Sequence, residues 1–295
     1  MKRSRWAAAA LMALVLALSG LQAPAADAAA RVTMAALKSA KVPAACGYKG
    51  GKLRNGLLPG ISPGVVRLVP KLTVIGPVVP GQKSGAAATF QCSHGGASWP
   101  NIVVIYDSAL RPLRVYDTGS VGYYSGRAEV QSIQLKNRVV TVHSVGIGQR
   151  GDSDRWGTAS ATVTLKYDSR HRQIVQSKPT LYTERPAFVS LVKAVNARDR
   201  KKALKYATAS TVDDMFTMVK YWPYPIKAME CIGVNDVWER AQSLSVSMDA
   251  GQRACRAVFT FKSASGRVKT TDPYIIMGPA NAGRTTFKGL RVTWL

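Results

Sequence analysis

Histidine is the side chain best suited to acid–base catalysis near neutral pH, and this chain has three, His94, His143 and His171. His94 lies in Cys92-Ser93-His94-Gly95-Gly96, where it could be a catalytic base or an ordinary turn residue beside a disulfide. A serine hydrolase also needs a nucleophile in a recognisable context such as Gly-x-Ser-x-Gly, which the sequence lacks. A secreted hydrolase that uses His94 or His143 with a carboxylate is therefore the alternative hypothesis.

Asp152-Ser153-Asp154 resembles the start of a calcium loop, but the rest of the pattern does not fit. Calcium loops need more oxygen ligands, including a carboxylate at the twelfth position, and that position is Val163. Arg155 also adds a positive charge. The sequence favours an ordinary hairpin loop here, and it predicts no metal site and no cofactor.

Aromatic rings alternate with prolines in Tyr221-Trp222-Pro223-Tyr224-Pro225. Such rings either form a stacking surface for sugars or lipid head groups, or close one end of an apolar core, because large aromatic side chains bury well. Burial in the core is the favoured interpretation. Tyr221, Trp222 and Tyr224 are nevertheless candidate ligand-binding residues, and Lys220 and Lys227 would favour an anionic ligand.

Basic residues are densest just after residue 197, at Arg198, Arg200, Lys201, Lys202 and Lys205. Positive charge near a helix N-terminus opposes the helix dipole, at a cost of roughly 0.3–1 kcal/mol for each exposed residue. This cost makes Arg200, Lys201 and Lys202 candidate anion-binding residues. A solvated helix face is the simpler interpretation of the same residues.

The four cysteines allow three disulfide pairings. Two fall in each half of the chain, so the simplest pairing is Cys46–Cys92 and Cys231–Cys255. A zinc site would favour closely spaced cysteines such as Cys-x-x-Cys, which do not occur. Disulfides are the default in an oxidising compartment outside the cytoplasm.

Residues 1–30 have the three parts of a secretory signal peptide in order. Lys2, Arg3 and Arg5 are followed by thirteen uncharged residues at 6–18 and then by small residues that contain several Ala-x-Ala patterns. A spanning helix needs roughly 20 apolar residues. We therefore expect a secreted protein with no transmembrane span after signal removal. Lipid anchoring is not expected, because no cysteine precedes Cys46.

The chain is strongly basic, with a net charge of +25. Loss of residues 1–30, which hold three basic residues and one acidic residue, leaves +23. The charge is spread over both halves without a basic run, which favours polyanionic surfaces without naming one. Anionic cell-wall polymers or another envelope protein are the expected partners, and specific nucleic-acid binding is not expected.

Periodicity divides the mature chain into three parts. Residues 31–45 look like a short lead-in. Residues 46–182 are rich in β-branched and aromatic residues, with Gly and Pro at short intervals, and they contain apolar or alternating stretches at 102–106, 111–116, 127–135, 138–145 and 158–167. This pattern predicts an all-β sandwich or open barrel of about six or seven strands.

Residues 183–295 change to a helical period at Pro186, followed by Phe188, Leu191, Val192 and Val195. Further helices are predicted from residues 199 and 211, and strands at 243–248, 255–262, 270–277 and 287–294. Helices followed by antiparallel strands are typical of an α+β domain. The domain boundary is predicted within roughly ten residues of Pro186.

This order of elements, with a tryptophan near the end of the last strand, resembles the cone-shaped fold of the NTF2-like superfamily over about 110 residues. The segment from Phe188 to Ala207 is similar to small secreted bacterial versions. The resemblance implies an α+β cone whose enzymes carry Asp and His in the pocket, whereas all three histidines here lie in the other half. The β half, with Cys46, Cys92 and Trp99, resembles actinobacterial envelope lipoproteins of unknown role, although the lipid-modified cysteine is missing.

These observations together favour a secreted, basic, envelope-associated binding or scaffold protein without catalysis, with its ligand unspecified. An accessory protein whose partner is another envelope protein is a further hypothesis. A large exposed apolar patch would favour that one.

Overall fold

The computed structural model describes residues 31–96, 98–123, 127–152, 157–221, 224–233, 252–263, 265–281 and 284–293. The described residues are mostly β, with 47% in strands and 16% in helices. Within the described ranges the strands form four sheets, and none of these closes on itself. The predicted signal peptide lies outside the described residues.

The first described segment packs against the sheet that follows it. Helix α1 (Met34–Leu37) begins after Thr33, whose hydroxyl accepts a hydrogen bond from the Ala36 amide, and strands β1 (Lys41–Val42) and β2 (Gly51–Lys52) pair with each other. Apolar side chains from this segment, including Leu37 and Leu53, are buried in one cluster with the next sheet. The stretch expected as a lead-in is therefore part of a core.

The next sheet has the antiparallel order β3-β4-β5-β6. Its strands are β3 (Val65–Ile75), β4 (Ala86–Ser93), β5 (Ser98–Tyr106) and β6 (Pro112–Asp117). Alternate residues of β4 and β5 belong to two different apolar clusters, one on each face of the sheet. Burial on both faces explains the continuous apolar run at 102–106, because neither face of β5 needs polar residues.

Strands β7 to β11 form the third antiparallel sheet in chain order, with the strand order β10-β9-β8-β7 and with β11 also paired to β9. Their bounds are β7 (Glu129–Lys136), β8 (Val139–Ile147), β9 (Ala159–Asp168), β10 (Gln173–Gln176) and β11 (Thr180–Tyr182). Val142 and Val163 of this sheet share a cluster with Val103 and Ile105 of the sheet before it. The two open sheets thus face each other across a common core, as in a β-sandwich.

Three helices and a further antiparallel sheet follow. The helices are α2 (Arg185–Asn196), α3 (Arg200–Ala203) and α4 (Ala209–Tyr221). The strands are β12 (Lys227–Ile232), β13 (Arg253–Lys262), β14 (Val268–Thr271), β15 (Tyr274–Pro279) and β16 (Phe287–Thr293), in the order β12-β13-β15-β16 with β14 paired to β13.

Helices α2 and α4 bury their apolar faces against one side of this sheet. Phe188 and Leu191 of α2 and Met215 of α4 are fully buried in a cluster that includes Phe259 and Ile275 of the strands. Full burial of side chains of this size is worth about 1.5–3 kcal/mol each. This packing uses the helical period that the sequence shows after Pro186.

Two strands of this part differ from the sequence predictions. The single strand predicted at 270–277 is two strands, β14 and β15, which both pair with β13. Pro273 lies between them and has no amide hydrogen to donate, so the pairing with β13 is interrupted there. Strand β12 was not predicted. The strand predicted at 243–248 lies outside the described residues, as do Trp222 and Trp294.

Two disulfides join the same cysteines that the sequence analysis pairs. Cys46–Cys92 ties the first segment to β4, and Cys231–Cys255 joins the neighbouring strands β12 and β13. No described helix is both long and apolar enough to span a bilayer. The two disulfides are consistent with an extracytoplasmic protein.

The two halves of the chain meet at a buried group of charges around Arg253, at the start of β13. Arg253 Nη1 donates a hydrogen bond to Asp152 Oδ1. Arg253 Nε lies 3.0 Å from Glu184 Oε1, where the two groups form an ion pair whose angle does not fit a hydrogen bond. The side chains are 6%, 0% and 3% exposed, respectively. Nη2 donates to the carbonyl oxygens of Cys231 and Arg150. We name Asp152, Glu184 and Arg253 the buried charge cluster.

Further hydrogen bonds hold both carboxylates in place. Asp152 Oδ2 accepts from the Gln149 amide at 2.8 Å and from the Thr158 amide at 2.9 Å. Glu184 Oε2 accepts from Gln149 Nε2 at 3.0 Å. The carboxylate of Asp152 therefore binds other groups of the protein, as expected for a structural loop rather than a calcium loop.

Replacing Arg253 by Ala should lower the free energy of unfolding by about 3–5 kcal/mol, because two buried carboxylates lose their counter-charge. Urea denaturation measures this change. Arg256→Ala is the matched control on the same strand. Arg256 pairs with Asp272 at 2.8 Å, but the two side chains are 31% and 49% exposed, so the cost should be about 0–1 kcal/mol. Equal small losses in the two variants would contradict the importance of the cluster.

Candidate anion-binding groove

An open groove of about 690 Å³ lies between the α2–α3 connection and α4. The described residues that line it are Arg198, Arg200, Asp213, Phe216, Thr217 and Lys220. We name these six residues the basic groove. Three cations and one carboxylate surround it, so its net charge is positive.

The end of α2 is fixed before the chain turns into the groove. Asn196 Nδ2 donates to the Ile226 carbonyl at 2.9 Å, and the Ile226 amide donates back to Asn196 Oδ1 at 2.8 Å. Two residues later, Arg198 Nη2 donates to the Val219 carbonyl at 2.7 Å. A guanidinium near the C-terminal carbonyls of a helix is favourable, because that end of the helix dipole is negative. Arg198 thus connects the α2–α3 turn to α4.

Arg200 and Asp213 form an exposed ion pair across the groove. The hydrogen bond that Arg200 donates to the Asp213 carboxylate raises the pKa of Arg200 above its ordinary value. Both side chains are about half exposed, so the pair is open to competition by a ligand anion and by salt. Asp213 is the one carboxylate among the described lining residues.

Of the aromatic candidates that the structure describes, Tyr221 does not fill the core as the sequence analysis favoured. Tyr221, the last residue of α4, is 69% exposed, and Lys220 Nζ lies 5.9 Å from the centre of its ring. Tyr224 is partly buried. Trp222 lies outside the described residues. Tyr221 therefore stands at the surface beside the Lys220 end of the basic groove.

The candidate basic residues separate in the structure. Arg200 lines the groove, whereas Lys201 and Lys202 are exposed on the one-turn helix α3 and are not among the lining residues. Arg198 and Lys220 also line the groove, although the sequence analysis did not select them as binding residues. The missed signal is the spacing of residues 213, 216, 217 and 220, since positions i, i+3, i+4 and i+7 share one helix face.

The three histidines occupy three different settings. His94 is stacked between two aromatic rings, and its Nε2 lies 2.7 Å from the Cys46 carbonyl. His143 Nδ1 lies 3.0 Å from Thr162 Oγ1 between β8 and β9. His171 Nδ1 lies 2.6 Å from Asp168 Oδ2 at an exposed turn, and this hydrogen bond lowers the pKa of Asp168.

One group of potential metal ligands occurs among the described residues. Carboxylate or sulfur atoms of Glu184, Cys231 and Cys255 lie within 4.8 Å of one another. The two sulfurs are joined in a disulfide, and Glu184 already binds Arg253 and Gln149. A metal needs deprotonated thiolates, so the oxidised protein does not offer these sulfurs as ligands.

Comparisons with protein-family models, with curated proteins and with solved structures find no match.

Asp213→Asn should strengthen binding to anionic matrices, because it removes the carboxylate that faces the three cations of the groove. The variant should elute from immobilised heparin at a higher salt concentration than the unmodified protein. Asp214→Asn is the control, since Asp214 is exposed on the same helix and makes the same charge change outside the groove. Equal shifts for the two variants would indicate a diffuse field rather than a focused site.

Proposed function

We propose that this protein is a secreted, non-enzymatic binding or scaffold protein of the bacterial envelope, which attaches to anionic cell-wall polymer through the basic groove. The observation that carries the proposal is the convergence of Arg198, Arg200 and Lys220 on one open groove that holds a single described carboxylate. A polymer with repeated phosphate or carboxylate groups matches this set of cations.

The chemistry of the three cations suits such groups. Arginine presents a planar fork of donors to phosphate or carboxylate, and lysine adds a compact charge with three donors. Arg200 is held by the Asp213 carboxylate, which a ligand anion can replace without leaving the guanidinium unpaired. The groove is open rather than enclosed, which suits a chain that passes across it better than a small molecule that needs burial.

The charge of the whole protein supports the same partner. A mature net charge of +23, derived from +25 for the full chain, attracts polyanions over a wide surface. At about 0.15 M salt, screening limits each interaction to roughly 8 Å. Charges near the contact surface therefore act together, and the cations of the groove hold the polymer there.

Two independent features support an extracytoplasmic compartment. The pattern of residues 1–30 is that of a signal peptide, and both disulfides suit an oxidising environment. Anionic wall polymer is an abundant polyanion in the compartment that a secreted cationic protein enters.

We also propose that residues 183–295 form an NTF2-like α+β domain. Support comes from three helices that pack on one face of an antiparallel sheet, in the chain order that the family shows. The domain boundary near Pro186 and the resemblance of the β half to envelope lipoproteins stay predictions.

Replacing Arg198, Arg200 and Lys220 together by Gln should weaken binding to purified anionic wall polymer at least about tenfold at low salt, near 0.05 M. The difference from the unmodified protein should shrink as salt is added. Co-sedimentation with the polymer over a salt series measures both effects.

The control removes the same number and kind of charges elsewhere, by changing the exposed residues Arg54, Arg67 and Lys83 to Gln. This variant should lose much less affinity than the groove variant. The proposal fails if the two triple variants bind equally, or if the unmodified protein does not bind the polymer at low salt.

A further inference from the structure

Three rings stack on one another at the end of the β4–β5 hairpin, far along the chain from the basic groove. The centroids of Tyr48 and His94 are 4.5 Å apart with 17° between the ring planes. The centroids of His94 and Trp99 are 4.0 Å apart with 34° between the planes. We name Tyr48, His94 and Trp99 the ring stack.

Covalent and hydrogen bonds fix the ring stack in advance of any ligand. The disulfide Cys46–Cys92 lies two residues before both Tyr48 and His94. Tyr48 Oη donates to the Ser93 carbonyl at 3.0 Å, and His94 Nε2 lies 2.7 Å from the Cys46 carbonyl. A binding surface that is already ordered loses little conformational entropy when a ligand arrives.

Two glycines make this close arrangement possible. Gly47 has a φ of +73°, and a Cβ there would lie 3.1 Å from His94 Cε1. A Cβ on Gly64 would lie 1.8 Å from Tyr48 Oη. Any side chain at residue 64 would therefore displace the tyrosine ring.

The outer ring of the stack is open to solvent. Trp99 is 41% exposed, although His94 covers one side of its indole. Among the described residues 45–48, 91–96 and 98–101, Trp99 is the one large apolar side chain that is exposed. This is a single flat aromatic surface rather than a broad apolar patch.

The hydrogen bond of His94 decides what its other nitrogen offers. A carbonyl oxygen only accepts hydrogen bonds, so Nε2 must carry the proton that it shares with Cys46. In the neutral ring Nδ1 is then an acceptor. An exposed aromatic face thus lies next to an imidazole acceptor on an exposed side chain.

We propose that the ring stack is a carbohydrate-binding site that takes an uncharged pyranose ring, such as an N-acetylated sugar of a glycan strand. The C–H bonds on one face of a pyranose carry partial positive charge and match the negative face of the Trp99 indole. A sugar hydroxyl can donate to His94 Nδ1. A protein partner would need about 800 Å² of contact on each side, and one exposed ring supplies only a small part of that area.

The site does not depend on the basic groove, because its ligand carries no charge. The test is isothermal titration of the full, disulfide-bonded protein with a soluble oligomer of N-acetylglucosamine at about 0.5 M salt, where electrostatic contacts at the surface are largely screened. The unmodified protein should bind, and Trp99→Ala should weaken binding at least about tenfold.

Two further variants separate stacking from simple loss of an aromatic residue. Trp99→Tyr keeps a flat ring and should retain most of the affinity. Tyr123→Ala removes a 65% exposed aromatic side chain elsewhere and should leave binding unchanged. If Trp99→Ala does not fold, as judged by circular dichroism, His94→Ala replaces it, and it must also weaken binding.

The inference is overturned if the unmodified protein does not bind the oligomer, if the Trp99 and His94 variants bind as well as it does, or if Tyr123→Ala causes an equal loss. Its failure is distinct from failure of the proposed function, which concerns salt-sensitive binding of an anionic polymer. A Trp99 variant that loses the neutral sugar should keep that salt-sensitive binding.

Discussion

The positive charge of Arg253 lies between two carboxylates that are almost completely buried, and this group of charges joins the two halves of the chain. Each half has its own apolar clusters, whereas the contact between them includes this charged group. Removing one partner would leave an uncompensated buried charge, which is far more costly than losing an exposed ion pair. Asp152 and Arg253 are 101 residues apart, so the cluster closes a long section of chain.

The basic groove depends on the same cluster through α2. Glu184 is the residue just before α2, and its carboxylate is held by Arg253 and Gln149. The other end of α2 is held by the reciprocal hydrogen bonds of Asn196, which precedes Arg198 by two residues. With both ends of the helix fixed, Arg198 is placed where its guanidinium reaches the Val219 carbonyl of α4. A structural charge cluster thus positions a surface that is suited to a charged ligand.

Much of the fold was predictable because its signals are local. The helical period after Pro186 corresponds to α2, and the alternation at 158–167 corresponds to β9. The role of Asp152 was not predictable, since its partner Arg253 follows 101 residues later and no local pattern links them. The packing of residues 31–45 was missed for a similar reason, because their apolar side chains contact strands of the next sheet rather than near neighbours.

The candidate sites were also only partly predictable from local sequence. Sequence reasoning found Arg200 and Tyr221, but it treated Lys201 and Lys202 as equivalent to Arg200, because the direction of side chains on a helix as short as α3 cannot be inferred from local density. A signal for the ring stack was present, since Tyr48 and His94 each follow a cysteine of the first disulfide by two residues. To predict the ring stack from this spacing, the disulfide pairing and the position of Trp99 on the β4–β5 hairpin would both have to be known.

Lysine footprinting of the full chain, with and without anionic wall polymer, tests most directly whether binding is focused on the basic groove. An amine-reactive reagent and mass spectrometry report the modification of each lysine separately. The account predicts that the polymer protects Lys220, while the exposed Lys83 and Lys178 of the β half and the exposed Lys201 and Lys202 outside the groove react as before. Equal protection of all these lysines, or no protection of Lys220, would contradict it.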